Sequence, residues 1–550
     1  MAPSLRERRL PLWISLALVA AVAAVFGQVA DHAYLPYDDD EVITGAAALR
    51  QGLSWEGIRW AFTAVHVANW LPLPHLSLLA DQELHGLSPR FVLLENVALH
   101  GLASVLLFHA FRRMTGATWR SGAVAALFAI HPLHVESVAW ASLRKDVLSG
   151  VFLSLTLLAY VRATERPTLA RHALVALSFC AGLLSKSTLV TLPLVLLLLD
   201  LWPLGRLTDG SGALSGRRVG RAVAEKLPLL ALAAASSVAT LLAQRVGGTV
   251  VSVQHLPFPQ RLGNAVVAYA DYLRTALWPA DLAAFYPAPV EGFPLPRVLA
   301  SAAVVLGITL ACFLARRRRP WLLVGWLWFV GMLVPTIGLV QVGSQARADR
   351  YTYLPMIGLS ILPVWAAGEL AERRSSWRRP VAVASMTAMA ALGVAAHRQV
   401  ATWRDGVTLL SRALAVTPEN PLTHSYLAEA LLQQGRPAEA ALHMRAALRQ
   451  KPDYVEMMNN LAWLLATNPN VAPADPGEPF RLAVGAVEAT GGRNPQVLYT
   501  LATVFAREGR FPEAERTALR AAGVARALGA GEMAAALETK AAAFREGRMD

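Results

Sequence analysis

Cysteine is almost absent: the 550 residues hold two, Cys180 and Cys312, both inside apolar stretches and far apart in the chain. That spacing leaves no disulfide framework and no cysteine metal module to organise the fold, and both read as small core residues. Charge is scarce as well. Asp, Glu, Lys and Arg make up 16% of the chain, where an ordinary soluble domain has about a quarter. Against these shortages stand 55% apolar residues and a mean hydropathy of +0.40. A chain so composed takes a bilayer as its solvent.

Acidic residues are the scarcer sign, 38 against 51 basic, which gives a net charge of +13 and a pI near 10.2. Such a balance would raise nucleic-acid binding, but the location of the charge excludes that partner. From His397 onward the two signs nearly cancel, and the excess lies in short Arg clusters between apolar runs. That is the positive-inside pattern of a membrane protein.

About eleven runs are long enough to be spans: 11–30, 91–111, 121–141, 147–161, 169–185, 188–202, 227–243, 297–315, 320–341, 351–370 and 380–396. The first follows Arg6, Arg8 and Arg9. It reads as an uncleaved anchor, because no small-residue cleavage site closes it and further spans follow. The remaining basic clusters, at Arg112 to Arg120, Arg162 to Arg171, Arg206 to Lys226, Arg316 to Arg319 and Arg373 to Arg379, fall between alternate spans. This is self-consistent with a cytoplasmic N-terminus if the amphipathic stretch Arg261–Trp278 lies at the outer surface without crossing. The outward segments are then 31–90, short turns near 142–146 and 186, 244–296, 342–350 and everything after about 397. The 31–90 loop, with Trp55, Trp60 and Trp70, is expected to form helices lying on the membrane surface.

After His397 the pattern becomes alanine-rich amphipathic helix with a period near 34 residues. Leu427, Ala428, Leu431, Gly435, Ala440, Ala447, Leu448 and Pro452 occupy the packing positions of one tetratricopeptide repeat. A second begins at Leu461, Ala462 and Leu465 and is interrupted by Asn468–Gly477. A third carries Leu501, Ala502, Phe505, Gly509 and Ala514, and Ala413, Leu414 and Pro418 supply a preceding half-repeat. The expected organisation is therefore all-α, a polytopic helix bundle over 1–396 and a tetratricopeptide solenoid over 397–550. Such concave solenoids bind peptides and proteins.

Three features carry candidate chemistry. Tyr37-Asp38-Asp39-Asp40-Glu41 places four consecutive carboxylates after the first span. Adjacent like charges raise one another's pKa, so the cluster implies ligand binding or proton transfer, against the plainer reading of a solvated turn capping a helix Glu41–Gln51. His131-Pro132-Leu133-His134-Val135-Glu136 ends the third span, followed by Arg144, Lys145 and Asp146. Its His-x-x-His-x-Glu spacing is not that of a recognised zinc helix, so no metal site is assigned and interfacial hydrogen bonding competes. Lys186 and the run Arg347-Ala348-Asp349-Arg350-Tyr351 put cations where the positive-inside bias disfavours them. Cations there suit a phosphate, with headgroup anchoring as the alternative. Together these residues fit a lipid-linked phosphate substrate.

Tyr37-Asp38-Asp39, Asn69-Trp70-Leu71-Pro72-Leu73, the His131–Trp140 segment, Lys186, Asp200-Leu201-Trp202-Pro203, Phe285-Tyr286-Pro287 and Asp349–Pro355 resemble bacterial relatives of the transmembrane-and-tetratricopeptide-repeat O-mannosyltransferases. These belong to the GT-C superfamily of membrane glycosyltransferases, and the resemblance covers nearly the whole chain. It implies a multi-pass protein of the bacterial inner membrane with periplasmic repeats. It also implies transfer of a sugar, mannose or another, from a polyprenyl-phosphate donor to an acceptor hydroxyl such as a protein Ser or Thr. Asp38 or Asp39 would activate the acceptor; His131, His134, Glu136, Arg144, Lys145, Lys186, Asp349 and Arg350 would bind substrate, with Arg347 beside them. A divalent cation is admitted, and no cofactor is assigned beyond the polyprenyl-phosphate-linked sugar as donor substrate. Leu71, Pro74-His75 and Ser187 depart from the family's run and put the loop's fine chemistry in question. A lipid-linked sugar transporter would set its ionisable groups near the bilayer midplane, whereas here they gather at one face. A non-catalytic scaffold bearing tetratricopeptide repeats would leave Asp38 and Asp39 dispensable.

Overall fold

The computed structural model describes residues 5–209, 213–246, 257–289, 291–340, 343 and 345–549. The expected outward segments 244–296 and 342–350 therefore lie partly outside the described residues. The chain forms two compact units, Met1–Asp405 and Gly406–Asp550.

The first unit is almost wholly helical. Its helices are α1 (Leu5–Phe26), α2 (Trp55–Thr63), α3 (Pro72–His85), α4 (Pro89–Thr115) and α5 (Thr118–Ile130). There follow α6 (Val135–Ala139), α7 (Arg144–Glu165), α8 (Leu169–Ser185), α9 (Leu192–Leu201) and α10 (Gly216–Val246). The set closes with α11 (Phe258–Leu277), α12 (Leu295–Ala315), α13 (Pro320–Leu333), α14 (Pro355–Arg373) and α15 (Arg378–Ala401). Most of the expected apolar runs fall on one of these; 121–141 divides between α5 and α6, and 320–341 runs on past the end of α13 to residue 341, which lies outside the described residues. Eleven crossings nevertheless exceed what length and composition establish. Six helical stretches qualify among the described residues: Arg9–Asp31, Pro89–Thr115, Ala141–Glu165, Gly216–Val246, Leu295–Ala315 and Ser375–Ala401. A seventh is Thr118–Ile130 with Pro132–Ala139, bent by 53°. The runs at 169–185, 188–202 and 320–341 fold as short apolar helices. At a rise of about 1.5 Å per residue the 14 residues of α13 reach only about 21 Å. The amphipathic stretch at 261–278 is α11 and is not among the qualifying helices.

Packing distinguishes centre from rim. The stretches Pro89–Thr115 and Ala141–Glu165 are 56% and 67% buried, whereas Leu295–Ala315 and Ser375–Ala401 are 11% and 6% buried and turn Leu and Val side chains outward. The centre is thus α4 and α7, with α5 against α4 and α8 against α7. The crossing of α13 and α14 is tight because Gly325 and Gly358 meet there: an added Cβ on Gly325 would lie 2.6 Å from the Gly358 carbonyl oxygen. Small residues let helix backbones approach in this way.

Ion pairs identify the two ends of the bundle. Arg113 at the end of α4 pairs with Glu165 at the end of α7 at 2.5 Å, so these helices run in the same direction. Arg120 pairs with Glu372 at 2.6 Å and Arg319 with Glu369 at 2.8 Å, which brings basic clusters of three loops to one end. The segments 37–41, 131–146, 186 and 345–353 come together at the other. There Tyr286–Pro287 and Gln345–Arg347 form a two-stranded antiparallel pair.

The expected helix Glu41–Gln51 does not form as one piece. Asp40–Thr44 is a single π-turn closed by Gly45 N–H on the Asp40 carbonyl (2.6 Å), followed by a separate 3₁₀ turn, Ala47–Gln51. A Cβ at Gly45 would stand 2.6 Å from that carbonyl oxygen, so the glycine permits the wide turn that breaks the helix.

The second unit consists of α16 (Gly406–Val416), α17 (Pro421–Gln433), α18 (Pro437–Gln450), α19 (Val455–Thr467), α20 (Glu478–Ala489), α21 (Pro495–Arg507), α22 (Phe511–Ala527) and α23 (Gly531–Arg545). Leu427, Ala428, Leu431, Ala440, Ala447, Leu461 and Leu465 lie in one buried cluster. The small residues let paired helices approach and the leucines fill the space between successive pairs. It is a tetratricopeptide solenoid, with the insertion 468–477 carried as an irregular link between α19 and α20.

Candidate functional site

Two neighbouring carboxylates of the acidic motif have different surroundings. Asp39 is 1% exposed and accepts hydrogen bonds from Leu35 N–H (2.9 Å), Ser142 N–H (2.9 Å) and the Ser142 hydroxyl. Burial pushes its pKa up to about 6, opposed by these hydrogen bonds. Asp39 thus ties the acidic loop to the turn before α7. Asp38 is half-buried, and its carboxylate has no hydrogen-bond or ion-pair partner among the described residues. One carboxylate braces the loop and the next stays free.

The two histidines of the expected substrate site are turned inward. His131 receives Leu133 N–H on Nδ1 (3.2 Å), so its Nε2–H donates to the Ala276 carbonyl (3.1 Å). His134 Nδ1 lies 2.7 Å from the Phe128 carbonyl, with its ring among His100, Phe128 and Tyr353. Both hold the bend between α5 and α6. Glu136 points elsewhere, accepting from the Arg350 guanidinium and from Arg350 N–H at 2.8 Å. His131, His134 and Glu136 therefore do not converge on one point.

Arg144 is 1% exposed; it donates to Asn96 Oδ1 at 2.6 Å, Ser77 Oγ at 2.5 Å, Glu95 Oε2 at 3.0 Å and the Val92 carbonyl at 2.9 Å, and pairs with Asp81 Oδ2 at 2.9 Å. It fastens α7 to α3 and α4. Asp81, His85 and Glu95, with ligand atoms all within 4.8 Å of one another, have the donor set of a divalent-cation site. The guanidinium between the two carboxylates already supplies positive charge there. Burial, with Glu95 beside it, pushes the Asp81 carboxyl up to about 7.

The remaining cations gather. Lys186 pairs at 2.7 Å with Asp146, a fully buried carboxylate that also accepts from Ser137 Oγ (2.9 Å). Arg350, aimed by Glu136, lies over Trp140 and Tyr351 with its guanidinium carbon 5.7 and 5.1 Å from their ring centres. Lys186 and Arg350 line one cleft with Thr188, Met332, Thr336 and Tyr351. Lys145 makes no hydrogen bond or ion pair among the described residues, yet it lies within electrostatic reach of Asp38, Asp146, Lys186 and Arg350. Asp349 faces away from the cleft, accepting from the Tyr286 hydroxyl (3.1 Å) and forming an ion pair with Arg347 (3.5 Å). Burial pushes its pKa up to about 7.

The structure therefore brings together Asp38, Lys145, Lys186 and Arg350, each from a different segment, with Asp39, Asp146 and Glu136 as buried supports. Reading the sequence passes over Ser77, Asp81, Glu95, Asn96 and Ser142, which fix Arg144 and Asp39. Asp81 and His85, four apart on a helix with Glu95 shortly after, were the available signal.

Comparison with known proteins adds kinship. Residues 82–208 match the family model described as dolichyl-phosphate-mannose-protein mannosyltransferase, and residues 394–455 and 427–474 match the tetratricopeptide repeat. The human protein O-mannosyl-transferase TMTC1 is 26% identical over 448 residues, 72% of this chain and 49% of the relative. Tmtc1 of Drosophila melanogaster is 26% identical over 490 residues, 72% of this chain and 55% of the relative. Tmtc2 of the same fly is 33% identical over 180 residues, 30% of this chain and 19% of the relative. The chain spans about half the length of the TMTC1 proteins it matches. It is a relative of the transmembrane-and-tetratricopeptide-repeat O-mannosyltransferases.

Proposed function

From that kinship, we propose that the chain is a GT-C-type membrane glycosyltransferase that moves a sugar from a polyprenyl-phosphate carrier to an acceptor hydroxyl. The observation that supports this most is the meeting of an unengaged carboxylate, Asp38, with three cations, Lys145, Lys186 and Arg350. In the proposed reaction Asp38 takes the proton of the acceptor hydroxyl as its oxygen bonds to the anomeric carbon. The bond from that carbon to the phosphate oxygen breaks, and the electron pair leaves with the polyprenyl phosphate. Lys145, Lys186 and Arg350 stabilise the developing charge. Attack opposite the leaving group inverts the anomeric configuration.

Asp146 and Glu136 act by position, since a buried carboxylate fixes each cation's rotamer. Asp39 acts likewise on the loop bearing Asp38. The alternating Arg clusters support a periplasmic orientation for this end and for the repeats of a bacterial inner-membrane protein. The solenoid would recruit protein acceptors carrying Ser or Thr.

The test is transfer of labelled sugar from polyprenyl-phosphate donors by the purified full chain, with product stereochemistry read by NMR and acceptors by mass spectrometry. Asp38→Asn is expected to abolish transfer and Asp39→Asn to weaken it. Unchanged transfer in both would overturn the mechanism.

A further inference from the structure

At the end of the bundle away from Asp38, a cavity of about 490 Å³ opens between the C-terminal ends of α4 and α7 and the start of α5. Arg112, Arg113 and Arg162 line it with His109, above apolar walls from Leu106 and Leu158. Arg113 is taken, gripping both oxygens of Glu165 at 2.9 and 2.5 Å. The Arg112 and Arg162 side chains have no hydrogen-bond or ion-pair partner among the described residues. His109 is held by the Ser15 hydroxyl at 3.2 Å.

Three guanidiniums around one cavity repel, and Glu165 hydrogen-bonds only Arg113, with Arg162 within its electrostatic reach. The others call for an anion with several acceptor oxygens, which a phosphate provides through charge-assisted, forked hydrogen bonds. The walls select further. A free anion gains nothing from Leu106 and Leu158, whereas a glycerophospholipid sets its phosphate against the arginines and its first methylenes against the leucines. We propose that this cavity is a binding site for the headgroup of an anionic phospholipid such as phosphatidylglycerol. It lies in the leaflet that meets the basic loops, separate from the proposed transfer site. Basic pockets between spans at that depth suit such lipids.

The experiment is native mass spectrometry of the full chain released from micelles containing equal phosphatidylglycerol and phosphatidylcholine. Wild type is expected to retain phosphatidylglycerol by about tenfold or more, as two guanidiniums near a membrane surface provide. Arg112→Gln with Arg162→Gln should remove that preference, and Arg112→Lys with Arg162→Lys should keep part of it. Should the Gln variant fail to fold, Thr118→Glu places a negative charge in the same cavity. It stands in the first turn of α5, where the helix dipole tolerates it, and it should also expel the lipid. Inorganic phosphate or glycerol phosphate in millimolar excess should leave the adduct in place. Displacement by either would make this a free-phosphate site and overturn the proposal, as would equal retention of both lipids or retention of phosphatidylglycerol by the Gln or Glu variants.

Discussion

Ionised side chains are built into both ends of the same helices, and the two groups differ in how completely they are closed. Around Asp200 at the basic end, one carboxylate oxygen accepts from the Tyr160 hydroxyl (2.7 Å) and Arg206 (2.8 Å), while the other meets Lys226. Glu225 takes the rest of the Arg206 fork at 2.5 Å. Asp200 and Lys226 are 0% and 1% exposed, and every member has its partner. At the other end Asp146–Lys186 and Glu136–Arg350 are closed in the same manner, but Asp38 and Lys145 beside them are not. A saturated network holds helices together. A network with a spare carboxylate and a spare cation is left ready to hold something else, and this difference, more than charge itself, separates scaffold from site.

The contrast is broken most severely at Asp38. Asp38→Asn is expected to lower transfer by about 10²–10⁴-fold, the usual worth of a positioned general base, with no change in the thermal midpoint. Lys226→Met should do the reverse. Leaving the Asp200 oxygen that meets Lys226 without its partner costs about 1–3 kcal/mol of stability, since Tyr160 and Arg206 keep the other oxygen, while the rate per folded molecule should stay near wild type. Calorimetry of the detergent-solubilised chain alongside the transfer assay separates the two.

Asp39 sharpens the comparison through pH. Its folded pKa of about 6 lies above the ordinary 3.8, so its contribution to stability is full below pH 3.8 and is lost as pH rises to 6. The loss is roughly 3 kcal/mol. Asp39→Asn should remove that slope from the midpoint measured between pH 3.5 and 7. The smallest effect is expected at Lys145→Met. A fall in transfer of about tenfold would be less than that for a sole oxyanion donor, because Lys186 and Arg350 share the charge beside Lys145.

Much of the architecture was legible because its signals are local. Most apolar runs became helix, and the leucine and alanine phase placed the repeats. The acidic and cationic motifs share one end of the bundle, opposite the basic clusters of three loops. What could not be read was the facing of individual side chains. Asp38 and Asp39 are neighbours with opposite surroundings, a matter decided by Ser142 a hundred residues later. Arg144 and Lys145 divide the same way, since the partners that bury Arg144 come from α3 and α4. The histidines looked like ligands by residue type, yet His131 bonds the backbone at Leu133 and Ala276, and His134 bonds the Phe128 carbonyl through Nδ1. The helix expected at Glu41–Gln51 failed at Gly45, where a π-turn closes.

The central claim is that the open network is where sugar is transferred and the saturated one is structural. It is tested most directly by reconstituting wild type, Asp38→Asn and Lys226→Met side by side. Labelled sugar moved from a polyprenyl-phosphate donor is then measured per folded molecule. Transfer is expected to vanish with Asp38→Asn and to persist with Lys226→Met despite its lowered thermal midpoint. Wild-type transfer by Asp38→Asn, with loss in Lys226→Met, would contradict it.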